Sequence, residues 1–170
     1  MPVDKKRCMN HILIKDIEIS FDEYFAKEKI SKTTQDKLRN IDILAVPTQY
    51  HDSNYYFAKE TISFLKYCNG KGSKYTVDYL ADGDIKVLSL HCADLWLPTI
   101  ICKDVLLPII IGLITNYISD YIKGRINSRN ESNVDVKIIV KNNNKGKEFY
   151  YNGPASKFVE TFKATKFKKL

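Results

Sequence analysis

The chain has 170 residues, 27 Lys and Arg against 20 Asp and Glu for a formal charge of +7, and it is 44% hydrophobic and 28% charged. That length suits one domain with a sizeable core and no need of a disulfide or metal staple, and the composition excludes a disordered, collagen-like or multi-span membrane chain. The charge is uneven: residues 121–170 hold twelve cations and four anions, whereas 81–120 hold two and five, so a polyanion would meet the C-terminal part first.

Residues 1–10 are charged at Lys5, Lys6 and Arg7 and lead into no apolar stretch of the kind a secretory leader carries, so the expected compartment is the cytoplasm. Cys8, Cys68, Cys92 and Cys102 are then expected as reduced thiols. A zinc site would have to combine Cys8 and His11 with His91 and Cys92. The last two are adjacent and point to opposite sides of a strand, so no metal is expected.

Residues 11–20 alternate apolar and polar with one slip at Lys15 and Asp16, which predicts a half-buried strand with a bulge or bend. Ser20 can cap a helix through Phe21, Tyr24, Phe25 and Lys29, with Glu23 at the capping-box position, and a short helix is expected over 31–40. The run 41–47 is nearly all apolar and ends at Pro47, as a central strand would. The spacing over 55–68 predicts a helix, stopped by Asn69-Gly70-Lys71-Gly72. Runs 75–80 and 85–90 flank Asp82-Gly83, a strong turn signal, and predict a first hairpin. Residues 134–141 and 147–151 flank an Asn-rich turn and predict a second. Gly153-Pro154 is expected to break that strand before a final helix over 155–166.

The expected fold is therefore a single 1–170 domain of α/β or α+β class. It has a mixed, largely antiparallel sheet with two hairpins, a mostly apolar central helix at about 103–124, and a basic C-terminal helix and tail over 157–170. The central helix is the unusual element, because 105–118 is apolar but for Thr115 and Asn116. Only a stripe of small or polar residues interrupts it: Asp104, Pro108, Gly112, Thr115, Ser119 and Lys123. Such a helix is expected to be enclosed, first by the protein core and next by an oligomer or partner interface. Insertion in a membrane is disfavoured, because the 14-residue core falls short of the roughly 20 residues of a span. Pro108 should bend the helix unless it sits in the first turn.

Chemistry is harder to find. His51 follows the strand over 41–47, and His91, Cys92 and Asp94 follow the run 85–90; convergence would give a base, an orienting acid and a thiol nucleophile. No motif ties them together. A metal-dependent nuclease would use an acid and a lysine two apart, as in Asp84 with Lys86 or Asp135 with Lys137, opposite Asp78 or Asp82. Asn69–Lys74 lacks the strand and helix of a phosphate loop and is read as a turn. No cofactor is expected.

The sequence thus favours a non-catalytic binding or assembly component that meets itself or another protein through Pro108, Gly112, Thr115 and Ser119. The alternative is DNA or RNA binding by Arg125, Arg129, Lys137, Lys141, Lys145, Lys147, Lys163, Lys166, Lys168 and Lys169, with Tyr150 or Tyr151 stacking a base. A small hydrolase or nuclease built on the His, Cys and Asp set comes third.

Overall fold

The structure, a computed structural model, describes residues 12–18, 21–49, 55–70, 74–83, 85–88, 95–123, 132–143 and 145–164. In chain order its elements are β1 (Ile12–Glu18), α1 (Phe21–Lys27), α2 (Lys32–Leu38), β2 (Ile43–Val46), β3 (Thr48–Gln49), β4 (Tyr55–Ala58), α3 (Thr61–Gly70), β5 (Val77–Tyr79), β6 (Val87–Leu88), β7 (Leu95–Trp96), β8 (Thr99–Lys103), α4 (Leu107–Lys123), β9 (Asn133–Asn142), β10 (Lys145–Pro154) and α5 (Phe158–Ala164). Single 3-10 turns, Asp104–Leu106 and Ala155–Lys157, lead into α4 and α5.

The fold is α+β with a mixed sheet in the order β1-β10-β9-β8-β2-β5, and β7 also pairs with β9. β1 with β10, β10 with β9 and β8 with β2 run antiparallel, whereas β8 with β9 and β2 with β5 run parallel. β7 and β8 both lie along β9, as one strand interrupted at Leu97-Pro98. A small second sheet has the order β3-β4-β6.

Strand alternation divides the side chains between two faces. One face carries Ile43, Ala45, Ile100, Cys102, Val136, Ile138, Val140, Phe149 and Tyr151 and packs against Phe64 and Leu65 of α3, Ile110 and Ile114 of α4, and Phe158 and Phe162 of α5. On the other face, Leu44, Val46, Ile101 and Ile139 pack with Phe25, Ile30 and Leu38 from the region of α1 and α2. Ser31 caps α2 by accepting the Thr34 N–H, and the Asp82 carboxylate accepts from the Ser31 N–H at 2.9 Å and the Thr34 hydroxyl at 2.8 Å. These bonds hold the Asp82 carboxyl below its usual range.

Several expectations are corrected. The first hairpin does not form: β5 pairs with β2, β6 pairs with β4, and both pairings are parallel. Gly83 turns at φ +103° as an Asp-Gly turn allows, but Asp82 is held on α2 and the flanking strands go to different sheets. Residues 55–58 form β4, and only Thr61–Gly70 is helical. β1 has no bulge, since Ile12 to Glu18 pair in unbroken register with Tyr151 to Lys145. Most of its side chains are exposed. Gly153 and Pro154 are still paired, with Val134 and Asn133, but β10 ends at Pro154 and a helical turn begins at Ala155, so the strand stops before the final helix as expected.

The second hairpin forms with a two-residue connection between Asn142 and Lys145, and Asn143 takes the left-handed conformation at φ 56°. Pro108 falls in the first turn of α4, where its missing donor costs nothing.

Candidate functional site

His51, His91, Cys92 and Asp94 lie outside the described residues, as do Arg125, Arg129, Lys166, Lys168, Lys169 and the side chain of Lys163. The thiols that are described, Cys68 and Cys102, are fully interior. Burial pushes Cys68 up to about 11, and burial with Asp104 pushes Cys102 up to about 12. Neither is a thiolate nucleophile near neutral pH.

The same shifts bear on stability. An unfolded thiol ionises near 9.0, so below that pH both states keep their protons and this contribution is fully present. Between pH 9.0 and about 12 the unfolded chain releases protons that the fold retains. Folding stability is therefore expected to fall across that window in urea titrations, and to fall less steeply in a Cys68→Ala, Cys102→Ala variant. Equal slopes would refute the assignment.

The described nuclease pieces are engaged elsewhere. Asp78 pairs with Lys37 at 3.1 Å, Asp82 is bonded to Ser31 and Thr34, and Asp84 lies outside the described residues. Asp135 Oδ2 accepts from the Tyr150 hydroxyl and, at 2.8 Å, from Asn152 Nδ2. Among the described residues no group of three His, Cys, Asp or Glu is placed to hold a metal ion.

The β9–β10 hairpin does not gather its lysines into one surface. Lys137 and Lys141 alternate onto the face of Ile139, while Lys145 and Lys147 share the face of Val140. Lys137 pairs with Glu148 at 3.1 Å and lies over the Tyr150 ring, and Lys147 pairs with Asp16 at 3.8 Å. Tyr151 is buried and donates to the Pro154 carbonyl, so it is unavailable for stacking a base.

Glu148, absent from the expectations, is the centre of this face. Its side chain is 10% exposed and takes Lys137 on one oxygen and Lys15 of β1 on the other, at 3.1 and 3.3 Å. Tyr24 of α1 is close enough for that carboxylate to add to the effect of burial in raising its phenol. Position 148 alternates with the apolar 147–151 strand, but nothing in the sequence says that two lysines from different strands converge on it.

α4 is where the sequence and the structure differ most usefully. Rather than being enclosed, it buries one stripe, Leu107, Ile110, Ile114 and Ile118, against the sheet. Tyr117 holds the helix to α3, donating to Glu60 at 2.7 Å and meeting Phe64 and Tyr67 edge-on. Pro108 and Gly112 face outward, and Thr115 and Ser119 are half-buried beside them. Apolar residues flank this strip: Val105 is 73% exposed, Ile122 42%, and Ile109 and Leu113 are half-buried. With its leading 3-10 turn the helix runs over 20 residues, Asp104–Lys123, long and apolar enough to cross a membrane by length and composition. Its inner stripe is already committed to the core that α3 and α5 share.

No family model matches the chain, and no curated protein or solved structure matches it.

Proposed function

We propose that the protein is a non-catalytic assembly component that docks a protein surface through the outward side of α4. The observation that supports this reading is Val105, an aliphatic side chain 73% exposed at the head of a helix whose next exposed positions are Pro108 and Gly112, with Ile109 and Leu113 half-buried at the edge of the core beside them. One exposed valine is ordinary; an apolar run on successive turns of a helix already anchored on its other side is the helix-face pattern that partners recognise. Reduced interior thiols at Cys68 and Cys102 accord with a cytoplasmic setting.

The test is a photo-crosslinking residue placed in cells at 105, with position 36 of α2, also exposed, as control. Specific protein crosslinks are expected from 105 and not from 36, and they should vanish on adding Ile109→Asp. Equal yields from the two positions would sink the reading.

A further inference from the structure

On the sheet face opposite α4, we propose that Lys103 of β8, Lys141 of β9 and Arg39 at the end of α2 form a binding site for a dianionic phosphate group. The two lysines are in-register partners on neighbouring parallel strands, two residues beyond the partners Ile101 and Ile139. Their side chains therefore leave the sheet on the Ile101 and Ile139 face, with backbones about 4.8 Å apart. Like charges set directly opposite on a sheet are destabilising, so this pair calls for a counter-charge. Arg39 brings a third cation instead. Its guanidinium lies 5.0 Å from the centre of the Phe25 ring, and Phe25 shares one buried cluster with Ile101 and Ile139. Burial, and then the charge of Arg39, hold the Lys141 ammonium below its usual range.

The carboxylates nearby do not balance this charge. Asp22 pairs with Arg39 and offsets part of its effect on Lys141. Asp42 accepts from the backbone N–H and the hydroxyl of Thr76 at 3.0 and 3.2 Å, and Asp104 acts on the Cys102 thiol, on the α4 side of the sheet. Three cations thus face one carboxylate, which leaves two positive charges for a ligand to match. Lys137 shares the face but is paired with Glu148, and Lys145 and Lys147 lie on the other face. The positive charge is a spot and not a track, which suits one doubly charged group better than a polynucleotide backbone. Arg39 offers a planar fork steadied by Phe25, and the lysines offer point charges, a combination that phosphate oxygens accept.

Melting of the full chain in inorganic phosphate, against chloride at equal ionic strength, tests this. Phosphate at a few times its dissociation constant is expected to raise the melting temperature by about 2–4 °C. Lys103→Gln and Lys141→Gln should each weaken binding roughly tenfold, whereas Lys145→Gln, on the other face, should leave it unchanged. Without phosphate, Lys103→Gln is expected to melt no lower than the parent, because it relieves the opposed charges, and this separates a lost site from a damaged fold. Glycerol phosphate run beside inorganic phosphate distinguishes the sources: tighter binding of the ester assigns a phosphomonoester, and tighter binding of the free ion assigns phosphate itself. No shift, or the same shift in the parent and all three variants as general salt exclusion would give, overturns the site. Tighter binding of an unphosphorylated oligonucleotide, lost in the same variants, overturns the dianion in favour of a nucleic-acid backbone.

Discussion

Phe158→Ala is expected to remove about 3–5 kcal/mol of folding stability, the range for truncating a buried aromatic when the cavity cannot collapse. Phe158 has no exposed surface and stands between Tyr151, edge-on at a centroid distance of 5.2 Å, and Phe162, tilted at 4.7 Å. Phe149 closes the group at 6.4 Å from Phe162. Two of these rings come from β10 and two from α5, so each side is fixed by strand or helix geometry and collapse is restricted. If the parent stability lies at the low end of the roughly 5–15 kcal/mol of a domain, the variant is close to unfolded at 37 °C. Urea titration measures it, with Phe158→Leu expected to lose about 1–1.5 kcal/mol. A loss below about 1 kcal/mol for the alanine variant would mean that α5 is not docked as described.

Glu148→Ala is the second large effect, about 3 kcal/mol, near the lower bound for breaking a buried ion pair. The carboxylate is 10% exposed and serves two lysines; Lys137 is itself 29% exposed, while Lys15 at 60% recovers much of its hydration. The loss therefore falls mainly on Lys137, left without its counter-charge over the Tyr150 ring. Combining Glu148→Leu with Lys137→Met removes both charges and is expected to return to within about 1 kcal/mol of the parent. Loss below about 0.5 kcal/mol in Glu148→Ala would place the triad among solvent-screened surface pairs.

Local signals predicted elements whose partners are also local, and failed where a distant group decided the outcome. The β9–β10 hairpin was legible because Val134, Val136, Ile138 and Val140 alternate and the Asn-rich turn permits a positive φ at Asn143. The short helix expected over 31–40 forms as α2, and the structure adds the Ser31 cap that starts it. The hairpin expected at Asp82-Gly83 failed because a turn signal states that the chain reverses, not what the strands then pair with. Asp82 is spent on Ser31 and Thr34, about fifty positions away. Tyr55–Ala58 mixes apolar residues in a way that suits either period, and its pairings with β3 and β6 settle it as a strand. On α4 the apolar run was plain, but composition cannot say which side another element will cover. Of the stripe Pro108, Gly112, Thr115 and Ser119 the first two are exposed and the last two half-buried, whereas Val105, in the run expected to be enclosed, is 73% exposed. The lysines of the hairpin were counted together although alternation alone separates Lys137 and Lys141 from Lys145 and Lys147.

The strand order also has a consequence for how this chain reaches its native state. β1 is synthesised early, yet its pairing partner is β10, with Ile12 against Tyr151 and Glu18 against Lys145. Those contacts span most of the polypeptide, so their loop-closure cost is high and the relative contact order of the fold is raised. On a translating ribosome β1 must wait until the far hairpin has emerged. The hairpin, whose strands are joined by two residues, can meanwhile form alone and offer β10 as a ready template. Zippering of β1 onto that edge is then expected late in folding. Shortening that wait, by moving β1 behind α5 in a circular permutant, is expected to speed folding while the β1–β10 register is kept.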